Sequence, residues 1–308
     1  MMVRCPPSAP PRTQHRSLDQ TAISSMVALC ACWGVQQVTT KIALAGGLPP
    51  MFQAAARSIV ATLLLLTWVA VRRGGVRGLF VRDGTLWPGL LVAGLFAAEF
   101  VFLFAGVART SASRSVVFLF SAPFFTAVGA HLLLPSERLN LVRVVGLIVA
   151  FGGVVAAAWD RPANGASWEG DLLVMGAAAS LGATTVALKA SKALARASAE
   201  KVFLWQVAGS IVPLAAAALV SGQADWPDAS GGAWLALGYQ AVVVTFASYL
   251  AWFSLVGRYP AGRLSAFTFA TPIVGIAAAG AVLGDPVTVN LVLDLVGVGL
   301  GLVLVNRS

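Results

Sequence analysis

Two residues of opposite charge lie inside long apolar runs of this 308-residue chain. Glu99 is near the centre of the run 86–107, in FAAEFVFLF, and has no basic neighbour along the chain. A charged side chain in the middle of a bilayer costs about 2.5–3.5 kcal/mol on insertion scales, so it should face a cavity or a partner. We therefore expect Glu99 to contact a substrate amine or a coupling proton, or to pair with a basic residue of another helix.

Arg57, in the run 51–71, is the obvious pairing partner for Glu99. Two further interpretations apply to this arginine. It is either a structural or gating residue near the outer interface, or the group that holds a substrate carboxylate through paired N–H donors.

The composition indicates that transmembrane helices position these charges. Hydrophobic residues make up 58% of the chain and charged residues only 11%, against roughly 25% charged residues in soluble domains. A helix needs about 20 apolar residues to span a bilayer. Ten runs meet this requirement: 21–44, 51–71, 86–107, 112–134, 140–158, 169–191, 202–220, 232–256, 261–283 and 287–305. The sequence therefore predicts an all-α integral membrane protein with ten transmembrane helices and no separate soluble domain.

The basic residues predict how the chain is oriented. Residues 1–20 are Pro-rich and basic, which predicts a disordered cytoplasmic tail, and no small-x-small site indicates a cleaved signal peptide. With this end in the cytoplasm, sixteen Lys and Arg residues lie on that side and only Arg109, Arg114 and Arg161 on the other. This asymmetry predicts a bacterial inner membrane protein with both termini, including residues 306–308, in the cytoplasm. It also argues against nucleic acid as the reason for the net charge of +9.

The chain contains an internal repeat. ALCACWGVQQVTTKIAL aligns with GAAASLGATTVALKASK at an offset of 148, and later segments align at 148 or 149. The matched landmarks are Gly34 with Gly182, Lys41 with Lys189, Arg109 with Arg258, Pro123 with Pro272, and Glu137 with Asp285. The predicted units are repeats at 21–158 and 169–305, joined by an extracytoplasmic linker at 159–168. Because each repeat holds five predicted helices, the second must enter the membrane inverted, an architecture typical of transporters.

Polar and aromatic residues in both halves form the predicted substrate cavity. On the first helix, Gln36 and Thr40 share a face with Trp33, because residues three and four apart are neighbours on a helix. The second half offers corresponding positions. The full predicted set is Trp33, Gln36, Thr40, Arg57, Glu99, Thr184, Trp205, Gln206, Ser248, Tyr249 and Trp252. The alternative for the aromatic members is a place in the membrane interface or in the packed core.

Two prolines at matching positions are the predicted gates or hinges. Pro123 and Pro272 each remove a backbone donor from an apolar run, which frees carbonyl groups and permits a kink. Paired interruptions in the two halves are typical of the binding region of a carrier. Ordinary packed kinks are the alternative.

Several of these features resemble one family of membrane proteins. They are WG with a lysine seven residues after the glycine, Arg57 in the second helix, and a proline followed by SERLNLVRVVGLIVAFGGVV, a block that recurs in the second half. Over residues 21–305 the chain resembles the EamA-type transporters of the drug/metabolite transporter superfamily. In two places it departs from its own repeat: SLG replaces CWG, and Asp294 stands where the first half has Gly146.

The resemblance implies a ten-helix carrier made of two inverted five-helix repeats. In that family a central cavity is lined by helices one to four and six to nine, and helices five and ten are peripheral. Known members export amino acids, other metabolites or drugs, and relatives carry nucleotide sugars or phosphorylated sugars. We therefore expect a secondary transporter that exports small metabolites, with amino acids or related compounds favoured, by alternating access.

Two other functions stay open at this point. A phosphorylated-sugar or nucleotide-sugar antiporter needs several cations in the cavity, and only Arg57, Lys41 and Lys189 qualify. An intramembrane enzyme or scaffold needs an acid–base or metal constellation, which Glu99, Asp294 and His131 do not make by their spacing.

The expected partners are a small-molecule substrate and the lipid bilayer, without nucleic acid. No G-x-x-x-x-G-K-[ST] loop is present, so neither ATP hydrolysis nor a cofactor is expected. We expect a monomer, with a dimer through Gly297 and Gly301 of the tenth helix as the alternative.

Overall fold

The computed structural model describes residues 19–134, 139–142, 144–149, 152, 167–256, 259, 267–268, 270–289, 292–293, 295–297 and 299–300. In these residues every regular element is a helix. The helices are α1 (Gln20–Ala45), α2 (Pro50–Arg73), α3 (Leu86–Arg109), α4 (Ala112–Leu119), α5 (Ala122–Leu133), α6 (Trp168–Ala190), α7 (Lys192–Arg196), α8 (Ala199–Val220), α9 (Gly231–Gly238), α10 (Ser248–Val256) and α11 (Ala270–Leu283). A 3₁₀ turn occupies Arg77–Phe80, and a π-helical segment at Tyr239–Ala247 joins α9 to α10.

Seven helical stretches are long and apolar enough to cross a membrane. They are α1, α2, α3, the pair α4–α5, α6, α8, and the stretch from α9 into α10. Each coincides with a predicted run to within a few residues. The apolar helix α11 is shorter and covers the second part of the predicted run 261–283. The chain is therefore a multi-pass, all-helical membrane protein.

Some predictions fall on residues outside this description. About half of each of the predicted helices 140–158 and 287–305 lies there, as do most of the two tails and of the linker 159–168, and the residues Glu137, Arg258, Asp294 and Gly301. The number of ten helices, the inverted orientation and the unit boundaries therefore stay predictions.

The first helix of each half begins with the same kind of cap. The side chain of Asp19 accepts a hydrogen bond from the Ala22 N–H at 2.8 Å, and Ser167 accepts one from the Gly170 N–H at 3.1 Å. Such side chains satisfy backbone donors that a helix start leaves unpaired. Both capping residues and both donors are 148 positions apart, the offset of the sequence repeat.

Pro123 does accompany an interruption of its helix. The span 112–133 breaks at Phe120 and Ser121, and Pro123 lies at the start of α5, where a missing N–H costs little. Pro272, the proline at the matching position of the second half, is the third residue of α11. Their surroundings differ, since Pro123 is exposed and Pro272 is buried.

The largest irregularity was not predicted. Tyr239–Ala247 is π-helical, although this stretch contains no proline. Single π-type turns inside α-helices occur frequently at functional sites. Here the wider coil precedes Ser248 and Tyr249, two of the predicted cavity residues.

The core lies between the two halves of the chain. α3 packs along α6 and α8, α1 along α11, α2 along α8, and α5 along α6. Each of these pairs joins an element of residues 19–134 to one of residues 167–289. One cluster of buried apolar side chains spans both halves and includes Leu65, Phe96, Phe104, Phe118, Phe203 and Leu214. A site between the halves is therefore built from helices far apart in sequence.

Candidate functional site

Arg57 and Glu99 are both buried between the spanning helices. Arg57 on α2 is 1% exposed and Glu99 on α3 is 4% exposed. The guanidinium carbon of Arg57 lies 3.6 Å from the centre of the Phe100 ring and 5.4 Å from that of Phe104. This cation–π contact stabilises the positive charge without using its N–H donors.

The two charges lie within electrostatic range of each other but do not form an ion pair. Arg57 Nε and Nη1 and Glu99 Oε2 have no hydrogen-bond partner among the described residues. Buried charged groups are normally paired and hydrogen-bonded, because burying them alone is costly. The structural ion pair considered for these residues is therefore absent from the described part of the chain, which leaves these donor and acceptor atoms unsatisfied.

Residues from α8 and α10 extend this site. The rings of Phe203 and Tyr249 are stacked with their centres 5.2 Å apart, and Tyr249 lies within electrostatic range of Arg57 and Glu99. Gln206 shares a face of α8 with Phe203 and is buried, and no described residue bonds to its Oε1. The structure therefore brings Arg57, Glu99 and Tyr249 together, with Gln206 on an adjoining helix face.

A second group of predicted residues meets between α1 and α10. The Trp33 Nε1–H donates to Ser248 Oγ at 2.8 Å. The Trp33 ring also meets the Trp252 ring edge-on at 5.7 Å. The polar tip of Trp33 is thus satisfied by the protein, and this group joins the two halves through direct side-chain contacts.

The predicted polar belt of α1 is mostly satisfied by its own backbone. Thr40 Oγ1 donates to the Gln36 carbonyl at 3.1 Å, and Thr184 Oγ1 on α6 donates to the Ser180 carbonyl at 2.9 Å. Gln36 is only half-buried. Gln37, which the sequence prediction left out, is 3% exposed and its Oε1 has no partner among the described residues. Gln37 is therefore the better candidate for a polar contact inside the core.

Trp205 belongs to a different cluster. Its Nε1–H donates to Thr85 Oγ1 at 3.3 Å at the start of α3. A Cβ added to Gly89 would lie 2.4 Å from the Trp205 ring, so the absence of a side chain there creates the space for the indole. Glu99 is fourteen residues beyond Thr85 on α3, which is a rise of about 21 Å. The structure thus separates Trp205 from the Arg57–Glu99 site.

Near Trp205, Lys201 forms a charged contact with the α2–α3 loop, which we call the Lys201 clamp. Lys201 at the start of α8 donates to the Val81 carbonyl at 2.6 Å and to Asp83 Oδ2 at 2.8 Å. The hydrogen bond from Lys201 is the main reason why the pKa of Asp83 falls to about 2. This clamp fastens the α2–α3 loop to the second half of the chain.

Other polar contacts between the halves were also missed from the sequence. Gln240 Nε2 donates to Gln53 Oε1 at 3.1 Å, and both residues are fully buried. Asp171 on α6 accepts from Thr110 Oγ1 at 2.6 Å and pairs with Arg114 of α4 at 2.5 Å. The only local signal for Asp171 is an acidic residue in the first turn of a helix, a favourable place for negative charge.

The fold and this buried polar site define the class of protein, a helical membrane protein that crosses the bilayer several times. Residues 20–159 and 168–307 each match the EamA-like transporter family, and the chain belongs to that family. The resemblance inferred from the sequence motifs is thereby confirmed.

Named relatives and one solved structure agree with this assignment. The chain is 30% identical over 305 residues to an uncharacterized transporter, YvbV, of Bacillus subtilis (strain 168), which covers 95% of this chain and 94% of the relative. It is 27% identical over 266 residues to a probable amino-acid metabolite efflux pump of Salmonella typhimurium (strain LT2), covering 83% and 85%. A solved crystal structure superposes with a TM-score of 0.66 over 94% of this chain and 99% of that chain at 18% identity, a likeness of fold alone.

Proposed function

We propose that this protein is a secondary carrier that exports amino acids or related small metabolites across a bacterial inner membrane by alternating access. The observation that carries the proposal is that two nitrogens of the buried Arg57 and Oε2 of the buried Glu99 have no hydrogen-bond partner among the described residues. An amino acid presents one carboxylate and one ammonium group, so it complements both.

The roles of the site residues follow from their chemistry. The Arg57 guanidinium, whose Nε and Nη1 have no hydrogen-bond partner among the described residues, donates charge-assisted hydrogen bonds to the substrate carboxylate. Glu99 Oε2 accepts from the substrate ammonium. The Phe100 ring packs against the Arg57 guanidinium. The stacked rings of Phe203 and Tyr249 offer an apolar surface to the substrate side chain. Binding both charges at once selects α-amino acids over simple amines or acids.

A phosphorylated-sugar antiporter is less well supported by the cations of the described helices. Lys201 is already bonded to Asp83 and to the Val81 carbonyl, and Arg114 is paired with Asp171. Lys41 has Asp285 as an electrostatic neighbour. Arg57 alone offers unpartnered donors beside the site, whereas a phosphate dianion calls for several.

Alternating access is supported by an exchange of contacts between the halves. A Cβ added to Gly34 on α1 would meet the Thr271 carbonyl at 2.8 Å, and one on Gly182 of α6 would meet Phe125 Cβ at 2.8 Å. The atoms met at Gly34 belong to Thr271, Val274 and Gly275, and those met at Gly182 belong to Ala122, Phe125 and Thr126. These triplets are themselves 149 apart. Each half therefore places its glycine on the matching helix of the other half, as a two-fold relation requires.

The arrangement we propose is ten helices in two inverted repeats with both termini in the cytoplasm. The strong bias of Lys and Arg toward one side supports this orientation. Two relatives named probable amino-acid metabolite efflux pumps, from Salmonella typhimurium and Escherichia coli (strain K12), support the substrate class and the direction. The protein is proposed to act as a monomer.

Counterflow in proteoliposomes tests the proposal. Liposomes preloaded with an unlabelled amino acid are expected to accumulate the labelled compound saturably. The corresponding decarboxylated amines and deaminated acids should compete at least tenfold more weakly. Arg57→Gln should remove the discrimination against the amine, and Glu99→Gln that against the acid. Arg82→Gln, in the exposed α2–α3 loop, is the matched control and should behave like the wild type.

Two results would overturn the amino-acid assignment. One is the absence of saturable flux for every amino acid while the reconstituted protein stays folded. The other is flux that does not distinguish an amino acid from its amine or its acid.

A further inference from the structure

The C-terminal end of α3 has a face that the described residues leave partly uncovered. Phe102, Ala105 and Arg109 lie along this face, because positions three and four apart are neighbours on a helix. Phe102 is 38% exposed, and Arg109 is exposed too. This face looks toward lipid, since α3 is a membrane-spanning helix.

Two grooves flank this face. One, of about 500 Å³, runs between α3 and α6 and is lined by Phe102, Ala105, Arg109, Trp168, Glu169, Leu172, Leu173 and Gly176. The other, of about 580 Å³, runs between α3, α2 and α8 and is lined by Pro50, Met51, Val101, Ala105, Ala108, Arg109, Ala217, Val220, Ser221 and Gln223. Ala105 and Arg109 line both grooves. The two grooves thus meet at one cationic residue.

The polar residues of the first groove stand together at helix ends. α3 ends at Arg109, and the Ser167 N–H that precedes α6 donates to the Arg109 carbonyl at 2.8 Å. Trp168 and Glu169 follow directly, and both are exposed. Deeper in the groove, Leu172, Leu173 and Gly176 offer an apolar wall. This order, polar and aromatic at the rim and apolar below, is that of the headgroup region above the hydrocarbon.

Neither charge at the rim is neutralised by the part of the chain that the structure describes. Arg109 Nη1 donates to the Ala105 carbonyl at 2.8 Å. The other N–H groups of the Arg109 guanidinium have no partner among the described residues. No ion pair involves Arg109 or Glu169 among these residues. A guanidinium has several donors that match a phosphate, and a carboxylate accepts from an ammonium.

We propose that this place is a headgroup-selective site for phosphatidylethanolamine. The lipid phosphate binds Arg109, its primary ammonium binds Glu169, and one acyl chain occupies the groove on each side of α3. Phosphatidylglycerol brings no cation to Glu169, and the quaternary ammonium of phosphatidylcholine has no N–H to donate. The headgroup with both a phosphate and a primary ammonium therefore satisfies both rim residues.

Native mass spectrometry of the purified, delipidated protein tests this site. Dioleoyl lipids with ethanolamine, glycerol or choline headgroups are added in equal amounts, so that the chains are the same. One tightly bound phosphatidylethanolamine is expected, with an affinity about fivefold above the other two lipids, as suits one exposed charge pair.

Charge-neutralising variants separate the roles of the two residues. Arg109→Gln should lower the affinity for phosphatidylethanolamine about fivefold, the effect of one cation near the membrane surface. Glu169→Gln should abolish the preference over phosphatidylglycerol. Arg82→Gln and Asp225→Asn are matched controls, because both residues are exposed and line neither groove. Both controls should keep the wild-type preference.

A third variant tests the acyl-chain grooves. Ala105→Phe adds bulk where the two grooves meet and should remove the tightly bound lipid whatever its headgroup. Far-UV circular dichroism and a single elution peak establish that each variant is folded. Equal binding of the three lipids by the wild type would overturn the proposal. So would an unchanged ethanolamine preference in both Arg109→Gln and Glu169→Gln. The amino-acid transport proposal is not affected by either result.

Discussion

Burying a charged side chain inside a bilayer costs free energy. The contacts that Arg57 and Glu99 make within the protein offset only part of this cost. The Arg57 guanidinium lies on Phe100, a contact that contributes about 2 kcal/mol when water is excluded. Glu99 Oε2 and two nitrogens of Arg57 lack partners among the described residues. A zwitterionic ligand would supply a carboxylate to Arg57 and an ammonium group to Glu99. For this reason we assign the substrate site here.

At this scale, Glu99→Gln is expected to impair transport more than Asp294→Asn. Losing a charged hydrogen-bond partner costs about 1.5–3 kcal/mol, which corresponds to a loss of roughly tenfold or more. Asp294 belongs to the predicted tenth helix, which is peripheral in the family. The initial rate of counterflow, measured from pH 6 to 8, compares the two variants. Equal and negligible effects would remove Glu99 from the mechanism.

Individual helices are held at places where glycine permits close approach. Gly34 and Gly182 meet backbone atoms of α11 and α5, respectively, at 2.9 Å from an added Cβ. A backbone cannot move aside as a flexible side chain can. These two crossings therefore fix the distance between the halves.

Gly34→Ala and Gly182→Ala are each expected to destabilise the protein by about 1–3 kcal/mol, the usual cost of overpacking. Gly94→Ala on α3 is the matched control, because an added Cβ there meets nothing within 4 Å. Alanine is also the better helix former, so the control should be neutral or slightly stabilising. The midpoint of thermal unfolding in detergent measures all three. A midpoint for either crossing variant at or above that of Gly94→Ala would contradict this prediction.

A second prediction at the scale of single elements concerns the α2–α3 loop and the pH dependence of the stability that its Asp83 contributes. Its Asp83 has a pKa of about 2 beside Lys201, below the value of about 3.9 for an unperturbed aspartate. A carboxyl group whose pKa is lower in the folded state stabilises the fold above its unfolded pKa and loses that contribution on acidification. The advantage of the wild type over Asp83→Asn should thus be full above about pH 5 and vanish toward pH 2.

Thermal midpoints of both proteins across this pH range provide the measurement. Asp225→Asn, in the exposed α8–α9 loop, is the control and should track the wild type. A difference between wild type and Asp83→Asn that stays constant down to pH 2 would show that the charge of Asp83 is not involved.

For the whole molecule, two loops lie at opposite ends of the paired helices α2 and α8. The α2–α3 loop is held at the start of α8 by Lys201, and the α8–α9 loop is held at the start of α2, where the Met51 N–H donates to Gln223 Oε1 at 2.9 Å. The first is a charged contact and the second a neutral one. The α2–α3 loop and the α8–α9 loop are therefore held to the neighbouring helix starts by different kinds of contact.

Membrane topology gives the prediction at this scale. In a background without native cysteines, Asp225→Cys should react with a membrane-impermeant maleimide in intact cells, and Arg82→Cys only after permeabilisation. The bias of Lys and Arg toward the cytoplasm is the physical reason. Labelling of both positions from the same side would contradict the proposed orientation.

The class of protein, the family and most boundaries of the described spanning helices could be predicted from the amino-acid sequence. Apolar length, helix caps and charge bias are local properties, so the spans from Gln20–Ala45 to Gly231–Trp252 could be predicted closely. The sequence also identified Arg57 and Glu99, because a charge in an apolar run is visible without a structure.

The contacts that these residues make could not be predicted without the packing of the helices. Arg57 stacks on Phe100 instead of pairing with Glu99, Trp205 bonds Thr85 far from that site, and Gln37 is more deeply buried than Gln36. The π-helical segment at Tyr239–Ala247 contains no proline that would have indicated an irregular helix in the sequence. These outcomes depend on which helices pack against the residue. Arg57 and Phe100 are 43 positions apart and Thr85 and Trp205 are 120 apart, and local periodicity does not encode contacts at such separations.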